Sequence, residues 1–191
     1  MPEGAVEPLP RRAAGSFARV ALYALGEAVP SIHPDAFVHP DATLIGNVTI
    51  GAESTVWPQA VLRGDEGAIR VGDQTSIQDG SVIHCTAHLD TVIGNRVVIG
   101  HLVHLEGCTV EDRALVGNGS IVLHRAIVRT NALVGAGAVV LDDTEVPSGA
   151  MALGIPAKLR PDCVNADELD RLVESYLRKC RRYKAELRRL D

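Results

Sequence analysis

Branched aliphatic residues recur every six positions along most of this chain. The longest uninterrupted run has seven valines, from Val110 to Val146 at steps of six. The same step occurs earlier in three shorter runs, which are Ile32 to Leu62, Val71 to Ile83 and Ile93 to Leu105. Neither the helical period of about 3.6 residues nor the strand period of two produces this spacing. The pattern therefore predicts a short strand and a corner every six residues, with the aliphatic residue pointing inward.

Small residues stand four positions after many of these aliphatic residues, as Ala126, Ala132 and Ala138 do, and they suit tight corners. This combination resembles the hexapeptide-repeat family, whose fold is a left-handed parallel β-helix with triangular coils of three hexads. The resemblance implies an all-β solenoid over residues 29–160, with about six coils for the nineteen hexads. The handedness is an implication of the resemblance, since spacing alone does not supply it.

Different patterns flank the repeats. Residues 1–28 are expected to form an N-terminal arm, because their Ala-, Pro- and Arg-rich start lacks the six-residue step. Residues 161–191 are expected to contain a C-terminal amphipathic α-helix, with Asn165 as its N-cap and Glu168 at the capping-box position. Its apolar residues then follow at helical spacing, with Lys and Arg on the opposite face.

Composition narrows the possible functions. Aromatic residues make up only 3% of the chain, although hydrophobic residues make up 46%, so a base-stacking platform is not expected. The formal net charge of −5 argues against nucleic acid as a partner, and no apolar run is long enough for a membrane span. The four cysteines show no CxxC spacing, and the start of the chain does not resemble a secretory signal. These features indicate a cytoplasmic protein with free thiols.

Counting hexads brings chemically active residues into one column. His84 and Glu106 each follow an inward residue of the same face, one coil apart, and Arg63 falls on that face as well. Neighbouring parallel strands lie about 4.8 Å apart, so His84 and Glu106 can reach one ion. His101 belongs to a different face, where Asp79 stands one coil earlier and can orient it. A neighbouring subunit would have to bring His101 to the ion, which favours a homotrimer with closed symmetry.

Several motifs together resemble the gamma-class carbonic anhydrase family over about residues 29–160. They are Arg63-Gly64-Asp65, Gln78-Asp79-Gly80, His84, Gly100-His101 and Gly107-Cys108-Thr109. The resemblance implies that three histidines bind Zn²⁺ or Fe²⁺ at each subunit interface of a trimer, where a metal-bound hydroxide hydrates carbon dioxide to bicarbonate.

Two of those three histidines match His84 and His101, but the third position holds Glu106. Two histidines and one carboxylate form a known catalytic zinc set, so we expect His84, His101 and Glu106 as ligands, with His104 as a possible substitute. An anionic ligand makes the metal a weaker Lewis acid than three histidines do. We therefore expect either a metal centre with weak catalytic activity or a degenerate metal site.

Further roles follow from the resemblance alone. Gln78 matches a glutamine that holds the hydroxide or bicarbonate, Glu66 matches an active-site glutamate, and Arg63 and Asp65 match an interface pair. Ser76 stands where the family has an asparagine. Ala87 replaces an acidic proton shuttle, which leaves the neighbouring His88 as a candidate for proton transfer. His124, in a late coil, is expected to be an ordinary surface residue.

Two other functions compete with a carbonic anhydrase. The first is a hexapeptide acyltransferase that uses a coenzyme A donor and a histidine base in a groove between subunits. Only insertions of three and four residues interrupt the repeats, whereas such enzymes usually have a longer excursion. The second is a non-catalytic trimeric scaffold or binding protein.

Overall fold

Short parallel strands and one long helix make up residues 20–190, the part of the chain that this computed structural model describes. The strands are, in chain order, β1 (Ala21–Tyr23), β2 (Ser31–Ile32), β3 (Phe37–Val38), β4 (Thr43–Ile50), β5 (Thr55–Val56), β6 (Val61–Val71), β7 (Ser76–Ile77), β8 (Val82–His84), β9 (Thr91–Ile93), β10 (Val98–Ile99), β11 (His104–Glu106), β12 (Thr109–Val110), β13 (Leu115–Val116), β14 (Ile121–Val122), β15 (Ile127–Val128), β16 (Leu133–Val134), β17 (Val139–Val140), β18 (Glu145–Val146), β19 (Met151–Leu153) and β20 (Lys158–Arg160). The helix α1 spans Ala166–Glu186.

The strands stack into three faces of a parallel solenoid. The first face contains β1, β4, β6, β8, β11, β14 and β17, and the second contains β2, β4, β6, β9, β12, β15 and β18. These two faces form one sheet because the long strands β4 and β6 belong to both. The third face contains β3, β5, β7, β10, β13, β16 and β19, and the antiparallel β20 closes it.

Each face therefore has seven parallel strands, which gives seven turns where the hexads predicted about six. The additional strands are β1 and β19, which lie outside the aliphatic six-residue pattern. Leu22 of β1 pairs with Leu44, and Ala152 of β19 pairs with Val134. The strand β1 also falls inside the predicted N-terminal arm of residues 1–28, of which residues 1–19 lie outside the described part. The all-β solenoid with a C-terminal helix is confirmed.

The interior consists of stacked aliphatic side chains with small residues at the corners. Leu62, Ile83 and Leu105 are neighbours on the first face, and each has no exposed surface. Because each inward residue packs on the residue one turn away, the stack excludes water along the whole solenoid. The corner residue Ser81 is also fully buried, and its hydroxyl donates to the carbonyl oxygen of Gly100 at 2.8 Å.

Two insertions mark the corner beside the first face. The three-residue insertion Glu66-Gly67-Ala68 lies within β6, where the strand continues from one face to the next. The close approach of β4 and β6 there requires glycine, because a Cβ atom on Gly46, whose φ is +71°, would lie 2.3 Å from the carbonyl oxygen of Gly64. The second insertion forms a small hairpin, in which Thr86 and Leu89 pair.

The helix α1 packs on the third face of its own solenoid. Asn165 is its N-cap, as predicted, and accepts a hydrogen bond from the backbone N–H of Asp167 at 3.0 Å. The apolar stripe is buried at Leu169, Val173, Leu177 and Cys180. Among residues 20–190, no helix is long and apolar enough to cross a membrane.

Candidate functional site

The outer surface of the first face carries a ridge of ionisable side chains. Glu106 pairs with His84 on the neighbouring strand, and His84 pairs in turn with Arg63, as hexad counting predicts. Alternation along β11 buries Leu105 and turns His104 and Glu106 outward on the same side. We call this surface the Glu106 ridge, and it consists of Arg63, Asp65, His84, His104, Glu106 and His124.

Glu106 contacts three histidines on the ridge. Its Oε1 lies 2.8 Å from Nδ1 of His84 and 3.8 Å from Nε2 of His124. Its Oε2 lies 3.3 Å from Nε2 of His104. Burial raises the pKa of Glu106, but hydrogen bonds with His84 and His104 outweigh burial and hold this pKa below the ordinary value. Glu106 is therefore a carboxylate at neutral pH.

His84 lies between two carboxylates. Its Nε2 is 3.0 Å from Oδ1 of Asp65, opposite the contact of its Nδ1 with Glu106. The guanidinium of Arg63 forms an ion pair with the other oxygen of Asp65. Burial raises the pKa of Asp65, yet hydrogen bonds from Arg63 and His84 lower it more, so the net pKa lies below its usual range. The arginine, the two acids and the histidine form one continuous network.

His124 belongs to the ridge, although the sequence suggested an ordinary surface position for it. The strand β14 pairs with β11, with Val122 opposite Leu105, so His124 stands one turn beyond Gly107, the residue after Glu106. Its side chain is about one-third exposed, but its Nε2 is buried and has no hydrogen-bond partner. Counting hexads past Glu106 leads to Leu123, which directly follows the inward Val122, so the spacing gives no direct signal for His124.

His101 occupies a corner after the third face, away from the ridge of its own chain. Its Nδ1 lies 2.9 Å from Oδ2 of Asp79, so Asp79 orients the ring as predicted and leaves Nε2 for another partner. Gln78, which is buried, and His101 line a shallow groove between the third face and α1, and Tyr176 of the helix closes one side.

These contacts of the Glu106 ridge and of His101 do not include the other predicted site residues, which are Ser76, Glu66 and His88. Ser76 is buried beneath the helix, where its hydroxyl accepts hydrogen bonds from Thr55 and from the indole N–H of Trp57, both at 3.0 Å. Glu66 and His88 are exposed, Glu66 in the corner section of β6 and His88 in the hairpin after β8.

The donor types on these surfaces suit a metal ion, but one chain alone does not supply a complete set of ligands. His84 and Glu106 supply an imidazole and a carboxylate on adjacent strands, and His101 presents an oriented imidazole elsewhere. Within residues 20–190, however, no group of three or more His, Cys, Asp or Glu side chains is arranged to hold a metal ion. The residues therefore fit a shared metal only if the partner subunit's His101 meets the ridge.

Comparison with known proteins gives two kinds of relative. The family model for the bacterial transferase hexapeptide, described as six repeats, matches residues 30–64. Over 135 residues the chain is 43% identical to the mitochondrial gamma carbonic anhydrase 2 of Arabidopsis thaliana, which covers 68% of this chain and 49% of that protein. It is 41% identical over 109 residues to the carnitine operon protein CaiE of Escherichia coli, which covers 57% of this chain and 56% of that protein.

Among solved structures, a hexapeptide transferase family protein from Anaplasma phagocytophilum has the same fold. The TM-score is 0.82 at 37% identity, and the match covers 85% of this chain and 98% of that one. The chain spans only about half the length of the curated relatives it matches.

Proposed function

The chain belongs to the hexapeptide-repeat family, and because its similar relatives include gamma carbonic anhydrases, we propose that it is a gamma-carbonic-anhydrase-like metalloprotein. Its reaction would be the reversible hydration of carbon dioxide to bicarbonate. The observation that carries the proposal is the pairing of His84 with Glu106 on the ridge, because these side chains occupy neighbouring strands with their donor atoms side by side.

The metal, Zn²⁺ or Fe²⁺, would be held by His84 and Glu106 of one subunit and the partner subunit's His101, one ion at each interface of a homotrimer. The bound ion would supply Lewis-acid activation of a water molecule. Asp79 holds Nδ1 of His101, which presents its Nε2 outward. The cysteines at four separate positions, all free in the structure, are compatible with the cytoplasmic location that we propose.

The chain's own residues then bind substrate and move protons. The amide of Gln78, beside His101 in the groove, would hold an oxygen of bicarbonate by a hydrogen bond. Arg63, held by Asp65, adds a positive charge at the end of the ridge and would attract the bicarbonate anion. The exposed side chains of Glu66 and His88 would pass protons to buffer.

Metal analysis combined with a carbon dioxide hydration assay tests this function. Protein prepared without chelators and under reducing conditions should contain bound Zn²⁺ or Fe²⁺ and catalyse hydration. His84→Ala should lose both the metal and the activity, whereas His33→Ala, at an exposed histidine in the first turn, should retain both. Wild-type protein that contains no metal and catalyses no hydration would rule out the proposed activity.

An acyltransferase that uses coenzyme A is the second candidate, favoured by the His101–Asp79 pair and by the likeness to a hexapeptide transferase family protein. A histidine oriented by a carboxylate can act as a general base. Calorimetric titration with acetyl-coenzyme A separates the two functions. Micromolar binding would support the transferase, and no binding would exclude it.

A further inference from the structure

Large apolar side chains lie exposed at the end of the solenoid where the described chain starts. The strands β1, β2 and β3 form this end, because each pairs with a strand on one side only. Several such side chains at one end indicate a surface that contacts a partner. We call this surface the β1 end, and its apolar residues, between 45% and 63% exposed, are Leu22, Tyr23, Leu25 and Val29.

The last turns of α1 reach the same end of the solenoid. The ring of Tyr183 packs against Phe37 of β3, with the ring centroids 5.7 Å apart. One residue later, Nζ of Lys184 donates to the carbonyl oxygen of Pro34 at 2.9 Å. Leu190, which follows six positions after Lys184 and is 80% exposed, therefore lies near the β1 end as well.

Basic residues at the end of α1 border the β1 end. Residues 171–189 contain eight Lys or Arg and two Glu, a net charge of +6 in a chain whose total is −5. Among residues 20–190, Arg188 is exposed without an ion-pair partner, and Arg182 pairs only with a glutamate of its own helix. The exposed acids Glu27 and Asp35 of the first turn offset only part of this charge. The border of the β1 end is therefore cationic.

We propose that the β1 end docks on a membrane surface that contains anionic lipids. Leucine, valine and tyrosine side chains enter the boundary between headgroups and acyl chains, while arginine and lysine beside them attract anionic headgroups. The apolar stripe of α1 is already buried against the solenoid, so this helix does not insert. The contact is peripheral, in keeping with the absence of a helix among residues 20–190 that can cross a membrane.

A trimer would multiply this contact. In a trimer whose solenoids pack side by side, rotation about the three-fold axis keeps all three β1 ends on the same side of the assembly. A flat lipid surface then meets three docking surfaces at once, and their combined affinity exceeds that of one. An acidic protein or a nucleic acid would match only the cationic border and would leave the apolar residues exposed. The proposal requires neither a metal nor carbon dioxide hydration.

Co-sedimentation of the full-length protein with lipid vesicles tests the docking surface. We expect binding to vesicles of phosphatidylcholine mixed with phosphatidylglycerol, and binding at least about tenfold weaker to vesicles of phosphatidylcholine alone. Leu25→Ser combined with Val29→Ser should weaken binding to the mixed vesicles by about tenfold or more, because both side chains leave the apolar contact. Ile155→Ser, at an exposed apolar residue between β19 and β20, is the control and should leave binding unchanged.

A second pair of variants tests the charge. Arg182→Glu combined with Arg188→Glu should weaken binding to the mixed vesicles by about tenfold or more. Lys158→Glu combined with Arg160→Glu makes the same change in net charge on β20, at the opposite end, and should retain wild-type binding. Unchanged circular dichroism spectra for all variants would show that the fold is intact.

Four results would overturn the proposal. The first is no binding to either vesicle, and the second is equal binding to both. The third is binding to poly-glutamate but not to vesicles, which would identify an acidic protein as the partner. The fourth is an assembly larger than a trimer without vesicles that Leu25→Ser with Val29→Ser reduces to a trimer, since a second copy would then cover the β1 end. None of these results bears on metal binding or hydration.

Discussion

At the scale of single residues, Glu106 determines the charge and the chemistry of the ridge. It contacts His84, His104 and His124. Its pKa lies below the ordinary value because the hydrogen bonds with His84 and His104 outweigh the effect of its burial. A carboxylate ligand donates negative charge to a metal and makes it a weaker Lewis acid. The expected cost is a higher pKa for the activated water and slower hydration at neutral pH.

Replacing this carboxylate tests how far it limits the chemistry. Glu106→His should increase the hydration rate of the metal-loaded protein at pH 7 by about tenfold or more, because a neutral ligand strengthens the Lewis acid. Stopped-flow hydration with measured metal content checks the rate per bound ion. Asp41→His, at an exposed acid in an early turn, is the matched control and should leave the rate unchanged. A lower rate at full metal occupancy would contradict this account of Glu106.

At the scale of elements, the hairpin after β8 is anchored by Asp90. Its Oδ1 accepts a hydrogen bond from the backbone N–H of Ala68 at 2.8 Å, and its Oδ2 forms an ion pair with Arg70. The hydrogen bonds from Arg70 and Ala68 hold the pKa of Asp90 below its usual range. Asp90 thus fixes the hairpin of His88 against the corner section of β6 that contains Glu66.

Asp90→Asn should therefore lower the free energy of unfolding at pH 7 by about 1 kcal/mol, since the carboxylate is partly exposed and screened by solvent. Because the folded-state pKa is depressed, the carboxylate stabilises the fold above its ordinary pKa near 3.9 and loses this effect as the pH falls through the folded value. Urea unfolding should show the difference between wild type and variant shrinking between pH 5 and pH 3. A difference that stays constant over this range, or equals that of the exposed control Asp35→Asn, would contradict the role of Asp90.

The elements also show what the sequence can predict. The inward residues Ile83 and Leu105 fixed the register, because each turn must place its aliphatic residue in the interior, and this alone put His84 beside Glu106. Side-chain direction within the ridge depends on rotamers and on competing partners, which no spacing encodes. For that reason the contact of His84 with Asp65 and the orphan nitrogen of His124 could be found only in the structure.

At the scale of the whole molecule, the triangular solenoid separates the two halves of the proposed metal centre. The ridge lies on the first face, and His101 lies at the corner after the third, so only another subunit can bring them together. Leu102 directly follows His101 and is 70% exposed, an unusual position for a large aliphatic side chain. An interface at this corner would cover both residues.

Leu102→Asp tests that interface, because a charge buried between subunits is costly. We expect wild-type protein to sediment as a trimer and Leu102→Asp to sediment mainly as a monomer, with an unchanged circular dichroism spectrum. Ile155→Asp, at a residue 76% exposed between β19 and β20, should remain trimeric. If Leu102→Asp forms a trimer that dissociates as the wild-type trimer does, the interface lies on another surface.

Anomalous diffraction from crystals of the zinc-loaded protein tests the central claim most directly. Data collected at the zinc absorption edge should show one peak for each subunit, bonded to His84 and Glu106 on the ridge. The peak should also lie within coordination distance of the partner subunit's His101. Crystals with no anomalous peak on the ridge, or with zinc bound only at other surfaces, would contradict the account.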